Sequence, residues 1–409
     1  MSQLKALFKT VSGIYKNPLY RNSFWLMAGA FMMAGVGFFY WLIAARLYTP
    51  TQIGLGATFL SVAAIANLFA MLGFSTTLIR YLPKSDTKAK KINTAFTSIG
   101  LAAFIFGIIY LFGVHVWTPQ LSFFLSSFPI ILLILFFFPF NILNTITDSV
   151  FTAFNAGEWV FFSNTVQSVS KLILLIVMPS LGVWGIINSN IIGVILAVLL
   201  CLTLINRRFG IQFCPLIDRD VVEKVKKFAL GNYLASLISG LPPLLLPILI
   251  TNKISAEQTA YFYMPNMIAS LLIIIPTMIS RSYLAQGSHM NEVPSMKKPL
   301  VFSYALMIPL TLCAIIFGKL LLTLFGHNYA NGGYTYLVLI SISVLISVVN
   351  YFLGTKLQIE HKINKLIAVN LVGSVLYLSS AWCLTFMGIA GIALAAIITQ
   401  IFTVIFLLL

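Results

Sequence analysis

Charge is scarce in these 409 residues and acidic charge scarcest: 8% are charged and only 9 are Asp or Glu. A water-soluble domain carries roughly 25% charged residues, so this chain cannot clothe a water-facing surface. Disorder and a nucleic-acid-binding domain are excluded with it. Only 4 cysteines occur, Cys201, Cys214, Cys313 and Cys383, without metal-ligand spacing. They are expected to be buried free thiols, with no disulfide framework. The 4 histidines are dispersed over span ends and connections, where solvated surface positions are expected. No P-loop, catalytic triad, HExxH helix or carboxylate pair is present, so the expectation is no enzyme, no metal and no cofactor.

What the chain has in abundance is apolar side chains, 60% of the total, with a mean hydropathy of +0.99. One spanning helix takes about 20 residues. Charged and turn-forming patches divide the chain into twelve apolar runs, expected near 22–45, 53–79, 92–115, 121–148, 159–181 and 183–205, then 228–250, 259–280, 299–325, 334–355, 366–386 and 388–409. The runs exceed the length of a barrel strand and lack strict alternation, which makes the fold an all-α polytopic membrane protein. Before the first run, Leu4, Leu7, Phe8, Val11 and Ile14 recur at helical spacing opposite lysines, the pattern of a short helix on the bilayer surface.

Counting cations in alternate connections places 21 of the 25 Lys and Arg on one side. By the positive-inside rule both termini are expected in the cytoplasm, and the net charge of +16 is mostly a topology signal of a multi-pass inner or plasma membrane protein. An offset of 206 residues sets Tyr48–Gln52 against Ile254–Gln258 and keeps spans and turns in phase. The expected organisation is a first six-helix bundle over 1–205, a cytoplasmic linker over 206–227 and a second bundle over 228–409, two parallel repeats around a central cavity.

Polar residues inside apolar runs are costly unless paired or wetted, so stripes of them mark a cavity or a helix contact. In the fifth span Asn164, Gln167, Ser168 and Lys171 share one helical face. Lys171 lies roughly 20 Å from the cytoplasmic end at 1.5 Å per residue, too deep to snorkel inward; it either faces an aqueous cavity or reaches outward past Pro179. The eighth span aligns Asn266, Ser270, Thr277 and Arg281, and the fourth aligns Asn141, Asn144, Thr145 and Asp148. The neutral members suit interhelical hydrogen bonds as well as a cavity wall. Arg281 suits either a cavity mouth or a boundary anchor. Asp148 and Glu158 flank a short turn and are expected in solvent. Pro242, Pro243 and Pro247 in the seventh span are expected to kink or break it, as a gate or as a static bend. No span centre holds Asp or Glu, and cations without a balancing carboxylate suit an anionic substrate.

Ala44–Pro50, Gly54 and Arg80-Tyr81-Leu82-Pro83 resemble the start of the polysaccharide biosynthesis transporters, the lipid-linked oligosaccharide flippases of the multidrug/oligosaccharidyl-lipid/polysaccharide superfamily. Ala260–Tyr263, Ser270, Pro276, Ser280, Leu284–His289 and Phe325–Tyr329 are similar as well. The resemblance implies two bundles forming a V, with the first, second, seventh and eighth spans lining a basic cavity. It implies flipping of a polyprenyl-diphosphate-linked oligosaccharide from inner to outer leaflet by alternating access, for surface polysaccharide or lipopolysaccharide. Arg46, Arg80 and Arg281 sit where the family commonly carries basic residues, and Lys171 joins them from the stripe alone. Gln286 departs from a frequent Glu, which removes an acidic gate there, and the chain ends in an apolar run without the further pair of spans some relatives have. Membrane lipids, a glycan polymerase and glycosyltransferases are the implied partners. The competing expectations are a cation or drug exporter of the same superfamily and a membrane-bound glycan polymerase or transferase.

Overall fold

The computed structural model describes residues 18–288 and 294–408, and among them finds helices and no strand. The surface helix expected before the first span, and His289, lie outside the described residues. Twelve helices have 20 or more residues: α1 (Pro18–Leu47), α2 (Pro50–Ala70), α4 (Lys88–Trp117), α5 (Phe128–Ala153), α6 (Gly157–Val177), α7 (Val183–Phe209), α8 (Arg219–Lys253), α9 (Ala256–Ser288), α10 (Lys297–Ile316), α12 (His327–Ile359), α13 (Ile363–Cys383) and α14 (Gly388–Leu408). Two short ones, α3 (Phe74–Tyr81) and α11 (Gly318–Thr323), follow α2 and α10. Ten stretches are long and apolar enough to cross a membrane, the last covering both α13 and α14, while α8 with its charged first turns is not among them. Large apolar side chains stand exposed along the helices, Phe112 at 87%, Phe386 at 81% and Phe31 at 79%. Hydrocarbon is the solvent that makes such a surface stable.

The second expected span is interrupted. Leu72 and Gly73 adopt φ of 49° and 78°, a left-handed step that ends α2 and starts α3 in a new direction. Hydropathy cannot report it, because Leu and Gly leave the run apolar. The ninth expected span likewise divides at Phe317, into α10 and α11.

The residues form two compact units. One holds the chain up to Trp41 with Ala63–Leu234; the other holds Leu42–Val62 with Ala235–Leu409. Grouping the end of α1 and the start of α2 with the second unit is something chain order does not convey. The cause lies in the turns related by the 206-residue offset. Thr49 and Gln52 cap α2 reciprocally, the backbone N–H of Gln52 donating to Thr49 Oγ1 at 3.3 Å and that of Thr49 to Gln52 Oε1 at 3.1 Å. At the equivalent positions before α9, the N–H of Gln258 donates to Ser255 Oγ at 3.1 Å. The two helix starts then meet. Gly54 approaches the Ala256 carbonyl so closely that a Cβ there would lie 1.7 Å from its oxygen, and hydroxyls join Thr58 to Thr251 at 2.6 Å and Thr251 to Thr259 at 2.7 Å.

In the first unit α4 and α5 pack through Tyr110 and Phe138, ring centroids 5.8 Å apart, with Gly107 making room for Phe138. The stretch between α7 and α8, expected as part of a linker over 206–227, is shorter than that and fastened. Asn93 Nδ2 donates to Gln212 O at 3.1 Å, the N–H of Leu216 to Thr97 Oγ1 at 3.1 Å and that of Asp218 to Thr94 Oγ1 at 3.2 Å. The Lys90 ammonium pairs with the Asp218 carboxylate, and its hydrogen bond holds that carboxyl below the usual range. A depressed carboxyl contributes stability above its unfolded value, near 3.9, and loses it as pH falls through the lower folded value. Hydrogen-exchange protection at residues 210–218, corrected for the intrinsic rate at each pH, is therefore expected to fall as pH drops below about 4, and Asp218→Asn is expected to remove the dependence.

The thiol expectation needs correction: all four cysteines are free, but only Cys201 is buried, against Ser163 Oγ at 2.9 Å, and Cys214, Cys313 and Cys383 are exposed on helix faces or the inter-helix stretch. Of the kink or break expected at the prolines, no break occurs, for α8 continues through Pro242, Pro243 and Pro247. Proline at 242 releases the carbonyl of Ile238, one turn earlier, and Ser374 Oγ on α13 donates to that oxygen at 2.9 Å. Ser374→Ala is expected to lower stability by about 1 kcal/mol, read as a lower thermal midpoint of the purified protein in one fixed detergent.

Candidate functional site

In the first unit the α6 stripe is answered by two helices. Toward its start, Asn144 Nδ2 on α5 donates to Gln167 Oε1 at 3.1 Å, and Asn164 Nδ2 reaches Asp148 Oδ2 at 3.5 Å. Asn141 Nδ2 extends this polar seam to Asn67 Oδ1 on α2 at 3.1 Å. Spacing of i, i+3, i+4 on α6 and i, i+3, i+7 on α5 puts these groups on facing sides, so the seam is interhelical bonding. Asp148 and Glu158 are not in solvent as expected. Each has one carboxyl oxygen, Oδ1 and Oε2, buried and without a hydrogen-bond partner among the described residues. The turn between α5 and α6 is only three residues long, with Asn155 at φ 53°, and folds both carboxyls back against the bundle.

Lys171 stands at the other end of the stripe, half-buried, with its Nζ 5.3 Å from the centroid of the Tyr40 ring on α1. That ring is held from α7: Tyr40 Oη lies 3.0 Å from Ser189 Oγ and accepts from Asn190 Nδ2 at 2.8 Å. Gly193 on α7 lets the helices close here, since a Cβ would come within 3.1 Å of Gln167 O and 3.2 Å of Lys171 Cβ. A cation over an aromatic face gains about 0.5–2 kcal/mol. Among the described residues Lys171 makes no ion pair. The sequence reading missed Tyr40, Ser189, Asn190 and Gly193; the signal available was a Ser-Asn pair inside an apolar run, followed four residues after its serine by glycine.

Arg80 is exposed on α3, its guanidinium 5.4 Å from the Tyr81 ring. In the second unit Arg46 donates from Nε to Leu324 O and from Nη2 to Thr323 O, both at 2.9 Å, and so caps the carbonyls at the end of α11. Arg281 is exposed near the end of α9. On the same helix Ser270 and Thr277 turn their hydroxyls to their own backbone, Ser270 to Met267 O at 2.7 Å and Thr277 to Ile274 O at 2.7 Å. Asn266 instead lines a cavity of about 540 Å³ inside the second unit, together with Pro242 and Pro243 of α8. A polar stripe on α12, Ser343, Ser347, Asn350, Thr355 and Gln358, forms another wall; the sequence reading did not single it out.

The model of the family described as polysaccharide biosynthesis protein matches residues 19–282. No curated protein matches the chain. Among solved structures, the lipid II flippase MurJ in an inward closed conformation aligns at a TM-score of 0.72 with 13% identity, over 94% of this chain and 86% of that one. An inward-facing multidrug resistance MATE family transporter of the MOP superfamily aligns at 0.65 with 12% identity, over 91% and 92%. Its outward-facing counterpart aligns at 0.52 with 12% identity, over 95% and 93%. At such identities the likeness is one of fold, and with a family match running from the first span through the eighth, the chain belongs to the polysaccharide biosynthesis protein family.

Proposed function

We propose that this membrane protein is a flippase that moves a polyprenyl-diphosphate-linked oligosaccharide from the inner to the outer leaflet by alternating access, supplying surface polysaccharide assembly. The observation that carries the reading is Lys171, a half-buried cation on a membrane helix, set over a fixed aromatic ring and without an ion pair among the described residues. Such a charge is expensive to keep in low dielectric and is retained where a transient anion compensates it. A diphosphate supplies that anion through charge-assisted hydrogen bonds. Membership of a polysaccharide biosynthesis family supports a glycan cargo, and a fold shared with a lipid II flippase supports a lipid-linked one. Arg80 and Arg281, exposed near helix ends, are assigned to attract the diphosphate, and Arg46 to brace the turn after α11. Asn164, Gln167 and Ser168 hold the helix that presents Lys171. The positive-inside bias puts the termini and most cations in the cytoplasm of a cell membrane, where the anionic cargo is built. An inside-negative potential favours outward movement of each negative charge by about 2.3 kcal/mol per 100 mV.

Depletion of the protein in its host is the test, with lipid-linked glycan measured separately in the two leaflets. Accumulation in the inner leaflet with loss of surface polymer is the expected result. An unchanged leaflet distribution with lost polymer would point to a polymerase or transferase. Normal surface glycan with retained dyes or cations would favour the exporter that the MATE-like fold also permits.

A further inference from the structure

The cavity of about 540 Å³ within the second unit has a lining unlike the cationic residues assigned to the diphosphate. It is walled by α8, α9, α12, α13 and α14, and no Asp, Glu, Lys, Arg or His is among its lining residues. Hydroxyls and amides take their place, notably Asn266, Ser347, Asn350, Asn370 and Gln400, with tyrosines 351 and 377. Ser343, Ser347, Asn350 and Gly354 follow one another at three- and four-residue steps, so α12 turns a continuous polar face to the space. Asn350 Nδ2 donates to Gln400 O at 3.1 Å and to Gln400 Oε1 at 2.5 Å, pairing the two amides, while Asn350 Oδ1 and Thr399 Oγ1 are buried and have no hydrogen-bond partner among the described residues.

Polar residues that only glue membrane helices bond across close contacts and leave no room. Asn350 and Gln400 join α12 to α14, yet the five helices leave between them a volume within the range of about 300–1,000 Å³ typical of small-molecule sites. A dry void would be lined by apolar groups throughout, whereas amides and hydroxyls interrupt the apolar walls of this one. An ion would enter without a countercharge, with only neutral dipoles to offset its desolvation. The complement of mixed donors and acceptors is an uncharged molecule whose groups both donate and accept, and flat aromatic faces add surface for its C–H groups. We propose that this cavity is a carbohydrate site, binding uncharged sugar units through the amides of Asn350 and Gln400 and the hydroxyls of Ser347 and Thr399. The sugar's source, the glycan of the lipid-linked cargo rather than a free saccharide, rests on the flippase reading.

The probes are the lipid-linked oligosaccharide extracted from host membranes, the reducing oligosaccharide released from it by mild acid, and sugar-free polyprenyl diphosphate. Binding of each is measured to the full chain in nanodiscs, for the parent, for Ser347→Phe, which fills the space, and for the double variant Asn350→Ala/Gln400→Ala, which keeps it open. The released oligosaccharide is expected to bind the parent and to weaken tenfold or more in both variants, with polyprenyl diphosphate binding unchanged. The double variant decides alone if the filled one does not fold. Failure of the oligosaccharide to bind the parent, or equal binding by parent and variants, overturns the proposal. If the released oligosaccharide binds and the lipid-linked form does not, the site stands and its source is a free saccharide. Leaflet transport by the parent is scored separately: its absence removes the flippase reading and leaves the binding comparison intact.

Discussion

Lys171→Met is expected to cut outward transport of lipid-linked glycan at least tenfold while leaving the thermal midpoint unchanged or higher. The two halves of this outcome have separate causes. Methionine keeps an unbranched side chain of similar length, so contact with Tyr40 and the close passage at Gly193 survive. Removing a half-buried charge that has no ion pair among the described residues relieves a desolvation cost, and replacing buried ions by apolar side chains is often neutral or stabilising. What is lost is the hydrogen bond of a cation to a diphosphate oxygen, about 1.5–3 kcal/mol, which corresponds to roughly ten- to hundredfold in rate at 1.4 kcal/mol per decade. Lys171→Arg is expected to recover part of the transport, limited by the bulk of the guanidinium against the Tyr40 ring. Tyr40→Phe keeps the ring and removes the hydroxyl that Ser189 and Asn190 hold, so it should lower stability by about 1 kcal/mol with a smaller effect on transport. A residue that only supports the fold would show the opposite pattern, with stability falling alongside transport. The measurement is a leaflet-resolved assay in proteoliposomes beside melting curves of the same preparations. Transport by Lys171→Met within twofold of the parent would remove the cation from the mechanism.

Much of the helical layout was legible because the bilayer imposes one requirement on every segment. Any backbone inside hydrocarbon must bond to itself, so each apolar run of spanning length reads as a helix. What the apolar pattern cannot carry is backbone conformation and partner choice. The step at Leu72 and Gly73 is written in φ, and the residues that make it are as apolar as those of an unbroken helix. The three prolines of α8 looked like a break since proline removes a donor; the acceptor it frees at Ile238 is taken by Ser374, more than a hundred residues later in the chain. The α6 stripe was visible, yet the half of it near Asn164 proved to be bonded to α5, and only the Lys171 end remains as a candidate for cargo. Tyr40 was hidden among aromatics that face lipid, and its role appears only through Ser189 and Asn190 on a helix some 150 residues away. Asp148 and Glu158 sit beside a turn, where carboxyls ordinarily reach water; three residues of connection are too few to let them out.

The second large effect concerns Gly54. Gly54→Ala is expected to lower stability by more than about 3 kcal/mol, and Gly54→Val to yield no monodisperse protein. Ordinary overpacking costs about 1–3 kcal/mol because side chains can move aside. Here the obstacle is backbone: a Cβ on Gly54 would lie 1.7 Å from the Ala256 oxygen and 2.6 Å from its carbonyl carbon. Ala256 is the first residue of α9, so it can retreat only with the helix start, which Ser255 caps through the N–H of Gln258. On the other side α2 is fixed by the reciprocal bonds of Thr49 and Gln52. Between them the hydroxyls of Thr58, Thr251 and Thr259 form a buried chain that any separation would break. Gly35 on α1 is the matched control, because a Cβ there meets nothing within 4 Å. Gly35→Ala is expected to raise stability by up to about 1 kcal/mol through helix propensity and a less flexible unfolded chain. Melting curves and size-exclusion profiles of the two alanine variants in the same detergent provide the comparison. If Gly54→Ala melts with the parent, the two helix starts cannot be in backbone contact, and the grouping of Leu42–Val62 with the second unit loses its cause.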